Sequence, residues 1–437
     1  MRNGGRSPRG NGGMGGPRDS PSLGTSGGHD QAGARAWSWL RYGPPPGARS
    51  VPGRVALTRL LRRALQRITE APLVHGNAAE LLVDGPEAYP AMLELIARAE
   101  RRVHFENYIY RDDATGRRFA EALAERARAG VEVRLLYDWL GCIRTPASTW
   151  EGLRRAGGEV RCFGAPSLRN PRAMLRRNHR KLLVTDGCAA VVGGLCIGDE
   201  WLDDGGRGCW RDTAVRLQGP IARELDRSFC AMWRRAGGVV PEPEGPAPRA
   251  GNVAARVVDG PPTHARAYRL YELVAALAER TLYITGAYPL APAPLRRALA
   301  SAARAGVDVR LLAPSRSDLP LLNQAARAHY ASLLAAGVRI YEWTGPMLHA
   351  KSMVADGSLA LIGSSNLNPF SLLGSYELDV VIEDAGLATA LERQFLADIQ
   401  RAKEITPDEW RGRPAAQRWR ERLGAAVLWL PYKLYSD

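Results

Sequence analysis

Lysine is nearly missing from this 437-residue chain: it has four lysines beside fifty-six arginines. Cysteine is also sparse, with six residues between positions 142 and 230 and no C-x-x-C pair. That excludes a thiolate metal knot, and a disulfide framework does not suit a chain this long. The thiols read as small, mostly buried side chains of a reducing compartment. Long apolar runs are absent too. No window supplies the roughly 20 apolar residues of a membrane span, and none follows the N-terminal arginines as a signal peptide would. The expectation is a cytosolic protein that reaches any membrane from its surface.

What is present is positive charge. The net charge of +15 favours an anionic partner, whether membrane, nucleic acid or phosphorylated substrate. Residues 1–52 are rich in Gly, Pro, Ser and Arg, and carry seven arginines against two aspartates. They read as a disordered basic tail, their glycines and prolines arguing against the amphipathic helix of an organellar transit peptide. Val55 to Ile68 has leucines at helical spacing among basic residues, which suits a helix that either packs on the surface or lies on a membrane.

An internal repeat follows. Gly130-Val-Glu-Val-Arg-Leu-Leu136 has its counterpart in Gly306-Val-Asp-Val-Arg-Leu-Leu312, each preceded by a helical stretch and an earlier strand. Strands alternating with helices imply α/β architecture with a largely parallel sheet. Two copies imply two tandem α/β/α sandwich domains related by a pseudo-twofold, spanning 53–237 and 253–405. A proline-rich linker, 238–252, joins them, and a basic, aromatic tail, 406–437, ends the chain. Ala425 to Tyr435 in that tail suits either the membrane interface or packing on the second domain.

Two of the four lysines sit in matching places. Asn178-His179-Arg180-Lys181 leads to Asp186, and Leu348-His349-Ala350-Lys351 leads to Asp356; both read H-x-K-x4-D. A chain that writes nearly every cation as arginine keeps here the compact ammonium of lysine. Two positions apart on a strand, imidazole and ammonium share a face, about 7 Å apart. The pair suits one phosphate: lysine neutralises its oxygens while histidine attacks phosphorus or protonates a leaving oxygen. Two motifs facing across a twofold complete a double displacement.

Gly363-Ser364-Ser365-Asn366 follows the second motif as a turn whose amide can bind phosphate oxygen; Gly193-Gly194-Leu195-Cys196 occupies that place in the first copy. Asp212 and Glu377 trail the two histidines by 33 and 28 residues and are candidates to fix an imidazole tautomer. Asp186 and Asp356 end their strands at Asp-Gly, which serves catalysis or plain turn chemistry. Cys196 and the other histidines (29, 75, 104, 264 and 329) read as structural.

On these residues the chain resembles the phospholipase D superfamily, whose signature is the repeated H-x-K-x4-D motif with a Gly-Ser-x-Asn turn behind it. Within it, Phe105 to Asp113, Leu136 to Gly141, Gly193 to Glu200, Met347 to Lys351 and Gly363 to Asn368 with Glu377 resemble bacterial cardiolipin synthases of the short type without membrane spans. The resemblance implies an active site between the two domains, no metal or other cofactor, and catalysis by His179, Lys181, Asp186, His349, Lys351 and Asp356. It implies phosphatidyl transfer through a phosphohistidine, with phosphatidylglycerol at the cytoplasmic side of the cell membrane as partner. Cys196 stands where that family often has asparagine, and Asn368-Pro-Phe-Ser371 lacks an arginine common there. A phospholipid hydrolase of the same superfamily is the alternative, and a nucleic-acid phosphodiesterase or a non-catalytic lipid binder is disfavoured.

Overall fold

A computed structural model describes residues 54–436 except 167–175, 204–205, 207, 244, 246, 262–264, 369–370 and 372–373. The basic tail, His29 and His264 lie outside the described residues.

The first copy contributes β1 (Val74–Val83), β2 (Arg102–Asn107), β3 (Glu132–Asp138), β4 (Glu159–Phe163), the short β5 (Arg177–Asn178), β6 (Leu182–Thr185), β7 (Ala189–Gly193) and β8 (Thr213–Gln218). The second contributes β9 (Val253–Gly260), β10 (Thr281–Gly286), β11 (Asp308–Pro314), β12 (Arg339–Trp343), β13 (Lys351–Ala355), β14 (Leu359–Gly363), β15 (Ser375–Glu383) and β16 (Ala402–Ile405). Their order is β16-β12-β11-β10-β13-β14-β15-β9-β1-β8-β7-β6-β2-β3-β4, with β5 joined to β15. Leaving out β5 and β16, the order reads the same from either edge, and the two copies meet where β1 pairs antiparallel with β9. The stretch 238–252 feeding β9 is packed down: Val240 and Ala247 are buried and Ala250 N–H donates to Gly76 O.

The expectation of a largely parallel sheet needs correcting. Among the described strands, β2-β3-β4, β10-β11-β12 and the β5–β15 contact run parallel, and the other strand pairs are antiparallel. The reason sits in Asp186-Gly187 and Asp356-Gly357. All four residues have positive φ, between 53° and 64°, and Cys188 and Ser358 N–H groups close back onto Thr185 and Ala355. Asp-Gly with both residues left-handed is the hairpin turn that matches strand twist, so β6–β7 and β13–β14 fold back on themselves.

Helices cover both faces. α1 (Arg54–Thr69) leads the described chain, α2 (Asp84–Arg98) and α3 (Ala114–Arg128) follow β1 and β2, and α4 (Pro220–Arg235) follows β8. In the second copy α5 (Arg266–Leu277), α6 (Ala293–Arg304), α7 (Pro320–Arg327) and α8 (Ala385–Gln400) take their turn before α9 (Ala415–Ser436). Side chains of α4 and α8, among them Leu225, Phe229, Trp233, Leu391 and Phe395, share one core that runs under both copies. On the opposite face α2 and α3 close the first copy and α5 and α6 the second. α1 takes the packing role of its two expected ones: Leu65 is fully buried against the α5 core and Arg62 pairs with Glu383 at 2.7 Å. Among the described residues no helix is long and apolar enough to cross a membrane.

Candidate active site

Each histidine is delivered by a strand end that pairs with the other copy. β5 runs alongside β15, and the His179 N–H donates to Tyr376 O at 3.0 Å. Leu348 bridges Arg211, and the His349 N–H donates to Arg211 O at 2.8 Å. The residue after each acceptor is an acid. Glu377 therefore meets His179 Nδ1 at 3.0 Å, and Asp212 meets His349 Nδ1 at 2.7 Å. Each acid singled out by spacing thus lies against the histidine of the opposite copy. Both Nε2 atoms have no hydrogen-bond partner among the described residues.

The lysines are buried beside them. Lys181 Nζ donates to His179 O at 2.5 Å, and Lys351 Nζ to His349 O. The charges of both motifs act on one another: Lys181 and Lys351 each lower both imidazoles. Burial, aided by Lys351, outweighs Asp212 and brings His349 down to about 4, and burial holds His179 well below the usual range. Burial also lowers Lys351 to about 8. Burial therefore favours the neutral form of both imidazoles and weakens the hold of Lys351 on its proton.

The two acids differ. Burial pushes Asp212 up, but His349, Lys351 and the Trp201 indole N–H at 2.9 Å outweigh it and bring it to about 2. Glu377 goes the other way: burial raises it to about 8, against Lys181 and the hydroxyls of Ser364 and Ser371. The Asp212 carboxylate is thus ionised at neutral pH, while the Glu377 pair favours uncharged forms. The turns Gly193-Gly194 and Gly363-Ser364 explain part of this difference. A Cβ on Gly194 would come within 2.1 Å of Asp212 Oδ1, so only glycine lets that carboxylate in. The matching Ser364 donates its hydroxyl to Glu377 Oε2 at 2.6 Å.

Ser364 is consequently spent on Glu377, through it positioning His179, and not on phosphate. Asn366 is buried, and its side-chain oxygen has no partner among the described residues. Asp186 and Asp356 need a correction. They stand at the far ends of β6 and β13, and their carboxylates accept from the backbone N–H groups of 100–102 and 279–281. They tie a helix–strand loop to the hairpin turn and do not reach the histidines or the motif lysines.

Several contributors escaped motif reading. The Tyr108 ring lies edge-on to His179 at 4.7 Å, and Trp201 and Trp210 lie against His349 at 5.5 and 5.8 Å. Asp138 accepts from the Asn178 N–H at 2.8 Å and from Arg177 at 3.1 Å. Arg180 turns away from the site into a buried pair with Glu106 at 3.3 Å. His104, Asp226 and Cys230 bring possible metal-ligating atoms within 4.8 Å of one another, but Arg102 and Arg134 already supply cationic charge there.

Paired H-x-K motifs at the ends of twofold-related strands, with acids exchanged between copies, define a phospholipase-D-like phosphotransfer fold. The family model described as "Cardiolipin synthase, PLD-like domain" matches residues 92–233 and 274–399, and the chain belongs to that family. It is 32% identical over 364 residues to a cardiolipin synthase of Halalkalibacterium halodurans, covering 81% of this chain and 72% of that one. It is 30% identical to cardiolipin synthase 1 of Staphylococcus aureus, with 81% and 74% covered. Among solved structures, phosphatidylserine synthase of Haemophilus influenzae superposes with a TM-score of 0.65 at 14% identity, covering 84% of this chain and 98% of that one. That likeness concerns the fold alone.

Proposed function

We propose that the protein is a phosphatidyltransferase of the cardiolipin synthase type that joins two phosphatidylglycerol molecules, working from the cytoplasmic surface of the cell membrane. The observation that carries this reading is the pair of imidazoles, His349 buried and His179 partly so, each held at Nδ1 by an acid of the other copy and each with Nε2 unengaged among the described residues. Two such nitrogens flanked by two ammonium groups suit a phosphodiester.

His179 Nε2 attacks phosphorus, and the bond from phosphorus to the glycerol headgroup oxygen breaks. That oxygen takes a proton from His349, and glycerol leaves. Burial holds His349 neutral in the protein alone, but a phosphodiester anion against it favours the imidazolium, whose charge Asp212 then balances. In the second half, His349 accepts the proton of a headgroup hydroxyl of another phosphatidylglycerol. The alkoxide attacks phosphorus, the P–N bond to His179 breaks, and cardiolipin departs. Lys181 and Lys351 offset the developing charge on the non-bridging oxygens, and Asn366 supplies its amide.

Rapid denaturation during turnover on phosphatidylglycerol, followed by peptide mass analysis, tests the assignment. A phosphatidyl adduct on His179, missing in His179→Ala, is expected. An adduct on His349 alone would reverse the roles, and turnover with no adduct on either residue would remove the double displacement.

A further inference from the structure

Among the described residues the large apolar side chains left exposed are Leu140, Ile143, Val239, Leu319, Leu321, Trp419 and Leu423, between 43% and 86% open. Single exposed leucines are ordinary; their distribution here is not. Leu140 and Ile143 sit on the loop leaving β3, and Leu319 and Leu321 sit on the loop and first turn leaving β11. Those strands are equivalents in the two copies.

Both loops are tied to the site from outside. Asp138, which holds Asn178, also accepts the Leu140 N–H at 2.8 Å, and Cys142 Sγ lies 3.5 Å from the carbonyl of Tyr108, the residue against His179. On the other side Asp318 accepts the Tyr288 hydroxyl at 2.6 Å, and Tyr288 follows Gly286, which pairs with Lys351. Each loop is thus one layer of residues from a motif, and the pseudo-twofold that relates the histidines relates the loops. α9 extends the second loop: Gly424 packs on Leu321, leaving the neighbouring Leu423 and the Trp419 indole outward. Arginines are interleaved throughout, with Arg144, Arg316, Arg418 and Arg420 all exposed.

We propose that these two symmetry-related loops, with the outer face of α9, are the surface that seats the active-site mouth on an anionic phospholipid bilayer. This rests on the phospholipid reading above and deepens it. Aliphatic and indole groups among arginines are the composition of an interfacial contact: the apolar groups enter the acyl boundary and the guanidinium groups stay at the phosphates. Loops tied down by hydrogen bonds at Asp138 and Asp318 keep their apolar tips outward without ordering on contact. Placed either side of the histidines, they bring lipid phosphates to both motifs without requiring a lipid to leave the bilayer fully.

The test is sedimentation of the full chain with vesicles of phosphatidylglycerol and phosphatidylcholine, for wild type, Ile143→Glu, Leu319→Glu, the double variant and Val239→Glu. We expect each patch variant to lower vesicle partition about tenfold, with a larger loss in the double variant. Val239→Glu should bind as wild type, and turnover of micellar short-chain phosphatidylglycerol should be unchanged. Wild-type partition in the double variant would overturn the proposal, as would equal loss in Val239→Glu. Patch-dependent binding by a protein that turns over no lipid would uphold the surface while defeating the proposed reaction. Retention by DNA in place of vesicles would defeat both.

Discussion

An imidazole whose Nδ1 is held by an ionised carboxylate loses both its orientation and its charge balance when that carboxylate becomes an amide. Asp212→Asn should therefore lower kcat on phosphatidylglycerol by on the order of 10³- to 10⁴-fold while the protein stays folded. Glu377→Gln should cost markedly less, because burial already raises Glu377 to about 8 and little charge is removed at neutral pH. Equal losses in the two variants would contradict the asymmetry of the two pairs. On the proposed mechanism Lys351 should set the alkaline limit. Its pKa is lowered to about 8, so its positive charge is present below that pH and lost above it. The kcat/KM profile should fall above about pH 8, earlier than an ordinary lysine near 10.4 would allow. A profile flat to pH 10 would show that the ammonium is not needed.

At the scale of elements, the Asp-Gly turns carry the H-x-K-x4-D aspartates into structural work. Asp186 and Asp356 occupy left-handed backbone, and each carboxylate gathers backbone N–H groups from the loop before β2 or β10. Asp356→Ala should lower stability by about 1–3 kcal/mol, read as a lower Tm, with kcat per folded molecule near wild type. A large fall in kcat at unchanged Tm would return the aspartate to the chemistry. The motif spacing made the histidines, lysines and helix–strand repeat legible, because period-two alternation and glycine-stopped helices are local. Strand direction was less so. The Asp-Gly pair was visible as a turn, but its hairpin geometry depends on two positive φ values, and the repeated helices drew the reading toward parallel pairing. The exchange of acids between copies was not legible either. It follows from β5 joining β15 and Leu348 bridging Arg211, contacts between segments nearly 200 and 140 residues apart. Tyr108, Trp201 and Trp210 were hidden for the same reason, being ordinary aromatics until the fold lays them on the imidazoles.

Over the whole molecule, one sheet joins two copies back to front, so that neither site half is complete alone: each histidine needs an acid from across the pseudo-twofold. The +15 charge and the arginine-flanked apolar loops are what the proposed substrate, an anion presented at an apolar boundary, would call for. The central claim is the transfer of a phosphatidyl group to a second lipid by two histidines. Its most direct measurement is incubation of the purified protein with phosphatidylglycerol vesicles, with lipids resolved by mass and glycerol assayed in the supernatant. The account predicts cardiolipin and glycerol in equal amounts, both lost in His179→Ala and in His349→Ala. Phosphatidic acid in place of cardiolipin, or appreciable cardiolipin from either histidine variant, would contradict it.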